Sequence, residues 1–63
     1  MAARNGLEGK RKLKQKDYQG AITKFDQALA SNPNDLDALS GKGEAYYWQK
    51  NFEAAIENFD TVL

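Results

Sequence analysis

Apolar residues recur at spacings of three and four along the stretch Tyr18, Ala21, Ile22, Phe25, Ala28 and Leu29, which places them on one side of a 3.6-residue helix. Asp17 stands where the first amide groups of that helix need an acceptor. Pro33 stops it near Ser31, because proline restricts Asn32 away from helical geometry and brings no amide hydrogen of its own. The same face returns as Phe52, Ala55, Ile56, Phe59, Val62 and Leu63, with Asn51 as its cap. Between the two, Asn34 or Asp35 caps a helix running to about Gln49, whose buried side is read as Leu36, Leu39, Gly43, Tyr46 and Tyr47. Ahead of them, residues 7–15 are only weakly helical. Leu13 is the one large apolar residue there besides Leu7, and Gly6 and Gly9 each cost roughly 1 kcal/mol relative to alanine within a helix. Alternation of period two never lasts long enough for a strand, and the connections suit antiparallel helix pairs.

The periodicity contains a repeat. Gln15 to Leu29 (QKDYQGAITKFDQAL) returns from Gln49 to Leu63 (QKNFEAAIENFDTVL), an offset of 34 residues. Gln15, Lys16, Ala21, Ile22, Phe25, Asp26 and Leu29 are matched identically, and Asp17 and Tyr18 are answered by Asn51 and Phe52. A period of this length points to stacked units of a solenoid. The expected fold is therefore all-α: four helices in tandem antiparallel hairpins of an α-solenoid. They form a single domain over residues 1–63, with repeat one at about 2–35 and a partial repeat two at about 36–63. Ala21 or Ala55 lets the helices of a hairpin approach, and Phe25 or Phe59 fills the space one turn on. Two units are fewer than the three or so that such stacks need. If half the apolar surface of Ile56, Phe59, Val62 and Leu63 stayed exposed, covering it would be worth roughly 3–6 kcal/mol. Those four residues are thus expected to be covered in a longer array or to mediate self-association, by end stacking or by exchange of a hairpin between two copies.

Composition narrows the chemistry. With neither cysteine nor histidine among 63 residues, there is no disulfide framework, no thiolate, and no imidazole base or metal ligand. The carboxylates fall in capping turns or on polar helix faces, and Ser31 and Ser40 have no histidine to activate them, so the chain is read as no enzyme and as needing no cofactor or metal. No apolar run suggests a secretory signal or a membrane span, and a cytoplasmic location is expected. The net charge is zero but divided: Arg4, Lys10, Arg11, Lys12, Lys14 and Lys16 outweigh Glu8 at one end, while acidic residues dominate the rest. Attraction between the head of one copy and the tail of another is one consequence. The run Lys10-Arg11-Lys12-Leu13-Lys14 invites comparison with a nucleic-acid patch, but helical geometry spreads those side chains around the axis, so no nucleic-acid partner is expected.

Gly9, Ala21, Phe25 and Pro33 in the first unit, and Gly43, Tyr46, Ala55 and Phe59 in the second, resemble the pattern of the tetratricopeptide repeat family. Charges at Glu8 and Lys42 depart from it, since leucine is usual there. The resemblance implies a non-enzymatic module that binds a peptide or protein on the concave face lined by the first helix of each unit. Carried over position by position, that face would present Lys10, Leu13, Lys14, Glu44, Tyr47 and Trp48, each set of three at spacings of three and four or adjacent to one. The exposed aromatic pair is the most suggestive part. Some members grip an acidic chaperone tail with a lysine and asparagine clamp, but the matching positions here are Gly6, Lys10 and Gly41, so that clamp is largely missing.

Overall fold

The computed structural model describes the backbone of residues 2–62 and the side chains of residues 6–61. Within them run four helices: α1 (Ala2–Lys14), α2 (Tyr18–Ser31), α3 (Leu36–Trp48) and α4 (Phe52–Val62). α1 packs on α2, α3 on α4, and α2 on α3, with α3 also touching α1. The chain is thus two helical hairpins stacked side by side, and all described elements are helices.

The helix ends obey the sequence closely. Asp17 Oδ1 accepts from the amide of Gly20 at 3.0 Å and Asp35 Oδ1 from that of Ala38 at 3.1 Å. Asn51 Oδ1 plays the same part for Ala54 at 3.4 Å. Each serves amides that have no carbonyl partner within the helix. Asp35 therefore caps α3, while Asn32 Oδ1 accepts from the amide of Asn34 at 3.2 Å within the Pro33 turn. α1 extends further back than the expected start at residue 7, and Arg11, Lys12 and Lys14 in its last turn suit the negative end of its dipole.

Both hairpins turn in the same way. The amide of Lys16 donates to Leu13 O at 3.0 Å and that of Asp17 to Lys12 O at 2.8 Å. In the second unit Lys50 donates to Tyr47 O and Asn51 to Tyr46 O, both at 2.9 Å. This paired closure requires a left-handed residue after the helix, normally glycine. Here lysine takes the position twice, with φ of 63° at Lys16 and 64° at Lys50.

The core is built on α2. Phe25 has 0 % of its surface exposed, with Ala21, Ile22 and Ala28 buried beside it and Leu13, Tyr18, Leu29 and Tyr46 packed around the cluster. Its ring is gripped from two sides. A Cβ at Gly9 of α1 would stand 2.6 Å from Phe25 Cε1, and one at Gly41 of α3 would overlap Cζ. Neither helix could carry a side chain there without moving away from α2. In the second hairpin a Cβ at Gly43 would lie 3.0 Å from Phe59 Cε1, which repeats the contact between Gly9 and Phe25.

α3 corrects the expected assignment of its buried side. Gly43 is buried, and Leu39 and Tyr46 are half-buried, but Leu36 and Tyr47 are exposed. Their place is taken by Ala38, Gly41 and Ala45, because the helix axis sits so close to Phe25 that only small residues fit between. Among the described side chains of α4 only Ala55 is buried; Phe52, Ile56 and Phe59 are exposed. The side chain of Val62 and all of Leu63 lie outside the described residues.

The charges at the two usual leucine positions have partners. Glu8 Oε2 lies 2.9 Å from Lys24 Nζ, tying α1 to α2. Lys42 Nζ lies 2.6 Å from Asp26 Oδ1, tying α3 to α2, and 5.9 Å from the Tyr46 ring centroid.

The two phenylalanines should respond unequally to truncation. Phe25→Ala is expected to cost about 3–5 kcal/mol, whereas Phe59→Ala, whose ring is 37 % exposed, should cost less than half of that in urea unfolding followed by circular dichroism. Lys50→Gly should stabilise the fold by about 0.5–1 kcal/mol by relieving the left-handed turn, seen as a melting temperature several degrees higher.

Candidate interaction surface

α1 and α3 occupy equivalent places in their hairpins, so the 34-residue offset pairs Lys10 with Glu44, Leu13 with Tyr47 and Lys14 with Trp48. The structure leaves Lys10, Lys14, Glu44, Tyr47 and Trp48 exposed. Leu13 differs: it is half-buried and packs against the core cluster, so its larger role is to seat α1. Among the described residues neither Lys10 nor Lys14 forms an ion pair, which leaves both charges available to a ligand. The basic run is divided, since Lys12 pairs with Asp17 at 3.6 Å and Lys10 and Lys14 are not bound this way.

The aromatic end of α3 is ordered by contacts between rings. Tyr47 and Trp48 meet edge to face with centroids 5.3 Å apart, and Tyr47 meets Phe52 of α4 at 5.6 Å. Yet Tyr47 remains 51 % and Trp48 55 % exposed. Rings held in place while still facing solvent offer contact area with little further ordering on binding.

At the other end of the face, a cleft of about 260 Å³ opens between α1 and the start of α3, lined by Gly6, Leu7, Lys10, Asp35 and Asp37. Of these, only Lys10 is among the residues that the family resemblance proposes for the concave face. Asp35 reads from sequence as a cap and is one; that it also borders a cleft depends on how α3 lies against α1, which local spacing does not encode. Among the described residues no three of Asp, Glu, His and Cys gather into a cation site, and no helix is long and apolar enough to cross a membrane.

Paired helices repeated at 34 residues, with phenylalanine seated against glycine in each unit, define a helical-repeat protein of the solenoid class. The family model for the tetratricopeptide repeat matches residues 12–63, and the chain belongs to that family. Neither characterised proteins nor solved structures gave a significant match. Members of the family are in general protein–protein interaction modules and typically not catalysts.

Because Tyr47 gains mainly ring contacts rather than burial, Tyr47→Ala should cost only about 0.5–1.5 kcal/mol in denaturant unfolding. A loss as large as that expected for Phe25→Ala would place Tyr47 in the core instead.

Proposed function

We propose that the face made by α1 and α3 binds a peptide segment of a protein partner. Lys10 and Lys14 meet acidic side chains of that segment, and Tyr47 and Trp48 cover an apolar one. Glu44, exposed on the same helix as the ring pair, disfavours an acidic residue beside it. The observation that carries this reading is the ordered yet exposed ring pair of Tyr47 and Trp48. The division of the basic run by the pairing of Lys12 with Asp17 favours a protein over a nucleic acid as partner. A cytosolic setting suits a chain without cysteine.

Peptides selected by display against the chain test the assignment. Trp48→Ala should weaken their binding at least tenfold, about 1.4 kcal/mol, with the helical content of the chain retained in circular dichroism. Lys10→Glu should weaken it most at low salt, as expected for an exposed charge. Unaltered affinity of Trp48→Ala for every selected peptide would remove α3 from the site.

A second reading is favoured by the outer face of α4, where Phe52, Ile56 and Phe59 are exposed together. On it, this face is an assembly surface. Ile56→Asp should then lower the molecular mass found by light scattering at high concentration, and an unchanged mass counts against it.

A further inference from the structure

The side chains that α1 and α3 present on their common face are unlike at each level. The 34-residue offset sets Lys10 level with Glu44, Leu13 with Tyr47 and Lys14 with Trp48, and all but the half-buried Leu13 are exposed. α1 thus contributes cations, and α3 an anion and two rings. Within the chain these charges stay unmatched. Among the described residues Lys10, Lys14 and Glu44 form no ion pair, and the bridges run from Lys12, Lys24 and Lys42 instead.

A face divided in this way is complementary to itself under one rotation. α1 and α3 run in the same direction, since each is joined to α2 by a short turn and packs against it. A twofold axis between α1 and α3, parallel to both, lays α1 of one copy over α3 of another at the same level. Lys10 then faces the partner's Glu44, Leu13 faces the partner's Tyr47, and Lys14 stands over the partner's Trp48, a cation on an indole ring. Symmetry makes each contact twice. A twofold axis running across the helices would lay α1 on α1 and bring the basic side chains together, which costs free energy. Had the two units repeated each other in charge here, neither rotation would have satisfied them.

The size of the face sets the strength of such pairing. Two helices of 13 residues side by side present about 20 Å by 20 Å, roughly 400 Å² per copy and half of what a standard stable interface uses. Pairing of this extent is weak and reversible. It yields to a ligand that makes more contacts.

We propose that a second copy of the chain occupies the α1 and α3 face when no peptide is bound, paired about a twofold axis parallel to those helices, and that self-pairing and peptide binding exclude each other. The exclusion rests on the peptide reading of this face; the pairing does not.

Sedimentation equilibrium of the full chain at low salt, over a wide concentration range, reads the pairing. The unaltered chain should dimerise. Lys10→Glu and Glu44→Lys should each weaken the dimer at least tenfold, because each sets like charges against one another. The chain carrying both, whose net charge is that of the unaltered one, should recover the dimer with the two charges exchanged. Both side chains are exposed, and retained helical circular dichroism verifies the fold of each variant. A monomer at every concentration, a dimer that neither single substitution weakens, or no recovery in the double variant overturns the proposal. A dimer dispersed by Ile56→Asp and not by Lys10→Glu belongs to α4 and overturns it too. A displayed peptide whose binding Trp48→Ala weakens should lower the mass to one chain with one peptide. If the dimer keeps its mass with that peptide bound, the exclusion falls alone. If the charge variants behave as expected while Trp48→Ala weakens no peptide, the peptide reading falls and the pairing stands.

Discussion

A single ring sets the spacing of three helices. Phe25 of α2 is enclosed by α1 at Gly9 and α3 at Gly41, so its ring limits how closely both neighbours approach α2. An aromatic side chain placed against bare backbone gives close packing at a defined height along each axis, and interiors of native density tolerate little sliding about such a point. Removing the ring, or adding a methyl group on either side, disturbs both interfaces of α2 together. In a chain of 63 residues there is little other core to compensate, because a domain of this size buries a smaller fraction of its surface than a larger one does.

Around that contact the two units have diverged in charge. Glu8 and Lys42 hold equivalent positions, yet one pairs with Lys24 inside its own hairpin and the other with Asp26 across the boundary between hairpins. Both pairs are partly solvated and contribute on the order of 0–1 kcal/mol each. Their larger effect is on which helix fits beside which, since an exchanged partner would bring like charges together. The repeat thus supplies a common packing geometry, and the charged residues at the usual leucine positions distinguish one interface from another.

The large residues and the polar caps made much of this legible in advance. The face of α2, the stop before Pro33 and the caps Asp17 and Asn51 follow from spacing and from local hydrogen-bond chemistry and are found as read, and of the two candidates for the cap of α3 the structure uses Asp35. The buried side of α3 was not legible in the same way. Hydrophobic periodicity weighs residues by the apolar area they carry, and Ala38, Gly41 and Ala45 carry little; they are buried because the Phe25 ring comes close to them from another helix. The same limitation hid the inward role of Leu13, and the cleft beside Lys10, which exists only through the placement of α3 next to α1. The positions of Lys10, Lys14, Glu44 and Trp48 follow from the family resemblance, and the structure leaves them exposed, whereas the identity of a partner is not encoded by the shared fold.

Trp48 is the sole tryptophan of the chain, and more than half of its surface faces solvent at the end of α3, away from the buried cluster around Phe25. Its indole is partly covered in the folded state and meets the Tyr47 ring edge to face. Its emission therefore responds both to loss of that contact on unfolding and to anything laid over the end of α3, and the helical backbone gives an independent signal that separates the two.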